Sequence, residues 1–108
     1  SSDLWNNFFD TIESELNHFC NNLEEIKSEF ECKKALQNIH LFNEKFSSKQ
    51  EMISDLRKKI EQQYSVNNNH SCQELSIRHL ELNRTVKYYQ KKWKNLKDEY
   101  LRFLILTM

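Results

Sequence analysis

Apolar residues recur in alternating steps of four and three along the first thirty positions: Trp5, Phe9, Ile12, Leu16, Phe19, Leu23, Ile26 and Phe30. A repeat averaging about 3.5 residues keeps one stripe of a helix turned toward a neighbour, so the pattern predicts a supercoiled helix. A second ladder runs through Ala35, Ile39, Phe42, Phe46, Lys49, Ile53, Leu56 and Ile60, broken in polarity only at Lys49. The third comprises Cys72, Leu75, His79, Leu82, Val86, Tyr89, Trp93, Leu96, Tyr100 and Phe103, with His79 as its polar member. The expected fold class is all-α: one antiparallel, left-handed three-helix bundle, with helices over about 3–30, 33–64 and 72–106.

The two connections carry different signals. Ser65-Val66-Asn67-Asn68-Asn69-His70 is polar, and its three consecutive asparagines favour turns over helix continuation, which predicts a loop over about 65–71. Ser71 and Glu74 then stand at capping-box spacing, as do Ser28 and Glu31. Residues 27–35 contain no strong breaker, which leaves open a single rod of about 60 residues, about 90 Å long, burying its seam as a dimeric coiled-coil hairpin. The five-residue step from Phe30 to Ala35 breaks the heptad phase and favours the monomeric bundle.

Composition narrows the chemistry. The 108 residues suffice for one domain and include neither Gly nor Pro. Phosphate-cradling loops, tight hairpins and nucleophile elbows all depend on glycine, so none of them is expected. With 30% charged and 38% hydrophobic residues, the chain suits a slender bundle with much surface to cover. Cys20, Cys32 and Cys72 are odd in number and show no Cys-x-x-Cys spacing, which reads as reduced thiols in a cytoplasmic protein. No secretory leader and no apolar run long enough to span a membrane is evident. The triplets Asn69-His70-Ser71 and Asn83-Arg84-Thr85 fit the glycosylation pattern, but in that setting are expected to stay unmodified.

Net charge is zero but unevenly spread. Residues 1–31 carry eight acidic residues against Lys27, whereas residues 32–64 hold seven bases to four acids and residues 65–108 eight to four. An acidic first helix packed against two basic ones is expected to use this imbalance internally, through charge pairs flanking the seams.

Several stretches resemble a spectrin repeat. Arg78-His79-Leu80 through Val86, Tyr89, Trp93-Lys94-Asn95-Leu96 and on from Tyr100 to Leu104 is similar to the third helix of that family, in which a buried Trp precedes a Leu by three residues. Leu36-Gln37-Asn38-Ile39 followed by Phe46 resembles the second helix. The chain departs from the family in offering Phe19 where a mid-helix Trp is common, with Trp5 near the start, and Asn43 about where a His often stands. The connection between the first and second helices is also shorter than usual in the family. The Phe- and Asn-rich composition resembles repeats of giant cytolinker and nuclear-envelope proteins such as the nesprins. The resemblance implies a non-catalytic structural repeat of a longer cytoskeletal linker or scaffold protein: an elongated spacer, mechanical element and protein-docking surface. It implies neighbouring repeats in the same chain and cytoskeletal or scaffold proteins, actin among them, as partners. The implied location is cytoplasmic and cytoskeleton-associated, or the outer nuclear envelope through the parent protein.

Candidate residues follow from position. Trp5, Phe19, Phe46, Trp93 and Leu96 mark the core. Trp93 on the surface would be a partner hot spot, but its ladder position assigns it to the interior. His79 lacks a second His at helical ligand spacing, since His18, His40 and His70 lie on other segments, so no metal and no cofactor is expected. No nucleophile stands beside a backbone nest, so no enzyme activity is expected. Lys49 would extend its stem over the seam and lift its ammonium to water. Arg84, Lys87, Lys91, Lys94 and Lys97, in a basic run that also holds Lys92 and Arg102, form the candidate basic partner surface, suited to an acidic protein or anionic lipid, or simply balancing the acidic helix. Neutral overall charge argues against nucleic acid. Residues 100–106 are apolar on nearly every face, so Leu101, Leu104, Ile105 and Leu106, with Leu4 and Phe8 at the other end, are candidates for contact with an adjoining repeat or partner. A second reading is a stand-alone helical adaptor that binds a partner helix in a groove.

Overall fold

A computed structural model of the chain describes residues 2–30, 32–65 and 72–107, with side chains except those of 2, 3, 63–65, 72, 73 and 75. It contains three helices, α1 (Ser2–Lys27), α2 (Lys33–Ser65) and α3 (Cys72–Thr107), and no strand among the described residues. The protein is therefore all-α. The polar connection after Ser65, the Ser71–Glu74 pair and the Asn69 triplet lie outside the described residues, as do the side chains of the seam positions Cys72 and Leu75.

The first helix ends three residues before the end of its ladder. Beyond Lys27 the Glu29 N–H donates to the Ile26 carbonyl at 3.0 Å and Ser28 Oγ donates to the Glu25 carbonyl at 2.9 Å, which satisfies carbonyls that have no partner inside the helix. Ser28 thus closes α1 rather than capping α2, contrary to the capping-box expectation; Glu31 lies outside the described residues. The cap of α2 is Cys32, whose carbonyl accepts the Leu36 N–H at 3.1 Å. The chain consequently turns between Lys27 and Lys33, and no continuous rod joins α1 to α2. Phe30 stands outside any helix yet packs against the core, so the last rung of the first ladder is delivered by the turn.

Every fully buried hydrophobic residue is a ladder rung, and no polar or charged residue is fully buried among the described residues. Phe9, Leu16, Leu23, Phe46 and Tyr100 are completely enclosed. Phe19, Ile26, Phe42 and Tyr89 are half-buried rungs packed against the same cluster. Partner order describes how the helices run. Phe46 and Arg57 of α2 meet Phe19 and Asp10 of α1, so numbers fall along one helix as they rise along the other. The same reversal links Phe42 and Phe46 with Phe103 and Trp93 of α3. Between α1 and α3 the numbers rise together, from Trp5–His79 through Glu15–Lys97 to Asn22–Tyr100.

The long axis measures 59 Å and the other two 19 Å each. At 1.5 Å per residue the 36 residues of α3 span about 54 Å, so this helix runs nearly the full length of the molecule. The radius of gyration is 17.6 Å, against about 13 Å for a compact domain of this size. Elongation follows from helix length, because helices this long can bury a narrow stripe only by lying beside each other.

Candidate functional site

Rings from all three helices meet in the half of the rod that holds the start of α2 and the end of α3. Phe19 lies 5.0 Å from Tyr100 and 5.9 Å from both Phe46 and Trp93, centroid to centroid. Phe46 meets Tyr100 edge-on at 5.1 Å, and Phe42 meets Tyr100 at 5.3 Å and Phe103 at 5.1 Å. Offset and edge contacts of this kind add to the burial of the rings themselves. Trp93 is 5% exposed and packs against Phe19 and Phe46, and its indole N–H meets no acceptor among the described residues. Leu96 and Trp5 are buried as well, and Trp5 stacks on His79 at 4.9 Å. Phe19 is only half-buried, which places it at the margin of the cluster it joins. The Tyr100 hydroxyl donates to Asn22 Oδ1, and burial, helped by the nearby Cys20, pushes its pKa up to about 12.

The charge imbalance is spent partly at the seams. Arg57 of α2 donates through Nε to Glu13 Oε1 at 2.9 Å and through a terminal nitrogen to Asp10 Oδ1 at 2.6 Å, with its guanidinium 5.2 Å above the Phe9 ring. Burial works against its charge, but the two carboxylates hold its pKa above the ordinary value. Lys97 of α3 donates to Glu15 Oε2 at 3.0 Å, with both side chains about one-third exposed. Of the candidate basic surface, Lys97 is thus paired with α1, while Arg84, Lys87, Lys91 and Lys94 are exposed.

A second group of lysines comes together on the α2–α3 boundary, a grouping that the sequence did not show. Lys45, Ser48 and Lys49 face Lys92, Asn95, Leu96 and Glu99 across a groove of about 500 Å³. Lys45 Nζ reaches Glu99 Oε2 at 3.3 Å. Lys49 is half-buried, and burial together with the neighbouring Lys92 charge lowers its pKa. Lys92 places its ammonium 5.4 Å from the centre of the Tyr88 ring. The sequence marked Lys49 as the polar break in its ladder and Lys92 as a member of the basic run of the third helix, but not their meeting; Lys45, Lys92 and Glu99 sit one residue before the rungs Phe46, Trp93 and Tyr100, positions that the ladder itself leaves unassigned.

The two ends of the rod differ. At one, Ile105 and Leu106 are 77% and 80% exposed and Leu101 is 42% exposed, whereas Leu104 packs against the core. A groove of about 600 Å³ opens there between the start of α2 and the end of α3, walled by Ala35, Asn38, Phe42, Phe103 and Leu106, with Cys32 and Arg102 also lining it. At the other, Leu4 is 69% exposed while Phe8 turns partly inward against the core, its ring 5.7 Å from that of Phe9, so Leu4 alone of that pair projects fully.

The thiols have opposite environments. Burial, with Glu24 nearby, raises the pKa of Cys20, whereas the Ala35 and Lys34 N–H groups donate to the exposed sulfur of Cys32 and lower its pKa. Among the described residues no three His, Cys, Asp or Glu side chains converge as a metal site, and no helix is long and apolar enough to cross a membrane. Comparison with protein-family models, with curated proteins and with solved structures finds no match to this chain.

Proposed function

We propose that the chain is a non-catalytic structural repeat, an antiparallel left-handed three-helix bundle similar to a spectrin repeat, that serves a longer cytoskeletal linker or scaffold protein as spacer, mechanical element and docking surface. The observation that carries this reading is a single apolar core running along a 59 Å rod and exceeded at one end by exposed Leu101, Ile105 and Leu106. A rod whose contacts lie mostly between neighbouring helices can be loaded along its axis, and local contacts favour rapid recovery after unfolding. Neighbouring repeats would cover the apolar end, and the exposed Arg84, Lys87, Lys91 and Lys94 would meet acidic partners such as actin. The proposed location, cytoplasmic and cytoskeleton-associated or at the outer nuclear envelope, follows from that role.

Force measurement tests it directly. The chain, tethered at both ends, stretched, relaxed and stretched again, should regain the same unfolding step in successive cycles. Loss of the step after the first pull would overturn the mechanical role. A second reading, a stand-alone adaptor that takes a partner helix, is favoured by the groove beside Phe42, Phe103 and Leu106. It predicts that a soluble amphipathic helix competes for that groove while the chain's response to force is immaterial to function.

A further inference from the structure

Among the described residues, half-buried lysine and arginine side chains are paired with carboxylates with one exception. Arg57 has Asp10 and Glu13, and Lys97 has Glu15, each at 3.0 Å or less. Lys49 is also half-buried, yet it shares its groove with another cation, Lys92, whose charge works against its own. Among the described residues no carboxylate lies within ion-pair distance of either lysine. Lys45 adds a third ammonium to the same groove, and the single acidic group there, Glu99, is engaged with it. Partial removal of the Lys49 ammonium from water beside the exposed like charge of Lys92 is unfavourable, and an anion placed between them reverses the sign of that interaction.

We propose that the groove between α2 and α3 binds a small ligand carrying two or more adjacent phosphate groups. Three ammonium groups offer several donors each to phosphate oxygens, and Ser48 and Asn95 add a hydroxyl and an amide for orientation. The volume of about 500 Å³ is in the range that small-molecule sites occupy. A formal net charge of zero over the chain favours a compact ligand over an extended polyanion such as nucleic acid. This site does not depend on the structural-repeat reading, since a spacer with no ligand and a binding module with no mechanical role are both physically sound.

Inorganic pyrophosphate titrated into the whole chain at fixed ionic strength, followed by amide nitrogen–proton NMR spectra, tests the proposal. Shifts should concentrate at Ser48, Lys49, Lys92 and Asn95. The double substitution K49Q/K92Q should weaken binding by about tenfold or more, whereas the charge-matched K87Q/K94Q should change it by less than about twofold. Asn95→Asp, at an exposed position, adds a negative charge without touching the core and should weaken binding to a similar extent, so the result does not rest on one variant's folding. Equal losses in both lysine pairs, or shifts spread over every lysine-bearing face, would overturn the proposal as general ionic attraction. Phosphatidylcholine vesicles containing phosphatidylinositol bisphosphate identify the source: capture lost in K49Q/K92Q assigns a lipid headgroup, and pyrophosphate binding without vesicle capture assigns a soluble ligand. Binding to neither overturns the site.

Discussion

Single residues in this protein are read through their distance from the seam. Tyr100 is wholly enclosed, yet its hydroxyl must find a partner, and Asn22 supplies one at the edge of the core. Because its pKa rises from 10.0 to about 12 on folding, the unfolded chain releases the phenol proton first. Its contribution is therefore complete below pH 10 and is lost as pH climbs toward 12, by on the order of 2 kcal/mol. Denaturant titrations from pH 8 to pH 12 should show this loss in the parent and not in Tyr100→Phe, which itself should be about 1 kcal/mol less stable at neutral pH. Lys49 has the opposite sign. Its pKa is lowered from 10.5, so folding disfavours its charge at every pH below the folded value, and the penalty fades as pH rises toward 10.5. Lys49→Met should raise stability by about 1 kcal/mol near neutrality, and the gap between variant and parent should narrow in alkali; a gap independent of pH would mean that methionine packing, not charge, is responsible.

Between helices, the flanks of the ladders decide which faces meet. On α2 and α3, the residue after a rung faces α1: Arg57 follows Leu56 and Lys97 follows Leu96. The residue before a rung lies between α2 and α3, as with Lys45, Lys92 and Glu99. A double-mutant cycle on Arg57→Ala and Glu13→Ala should give a coupling of about 0.5–1 kcal/mol, whereas the more exposed Lys45 and Glu99 should give close to zero. The ladders themselves were legible because burial repeats with the helical period: Phe9, Phe46 and Trp93 are interior for the same reason that their spacing is four and three. The flanking pairs were not legible, since a ladder alone does not say which neighbour lies to its left and which to its right. That choice fixes whether Lys97 meets solvent or Glu15. Helix ends were only partly legible, because Ser28 has the residue type of a cap but serves the carbonyls of the helix before it, and Cys32 caps the next without resembling a preferred cap.

At the scale of the whole molecule, length and apolar surplus act together. A 59 Å rod only 19 Å across has a large surface for its volume, so its stability depends on the clustered aromatic rings. Phe46→Ala should cost about 3–5 kcal/mol, a large part of the 5–15 kcal/mol typical of a domain, and thermal unfolding should register it as a pronounced fall in midpoint. The apolar end obeys a different rule. Ile105 and Leu106 are mostly exposed, so replacing both with Ser removes little that folding has buried and should alter stability by no more than about 0.5 kcal/mol each. Their exposed surface is nevertheless available for contact with another apolar face, whether a neighbouring repeat, a partner helix or a second copy. Small-angle scattering across a concentration series separates these roles. The parent at high dilution should approach the 17.6 Å radius of gyration and grow along its long axis as concentration rises, while I105S/L106S should keep the dilute radius throughout. A double variant that loses several kcal/mol would place the two side chains in the core, and one that associates as readily as the parent would show that this end docks nothing.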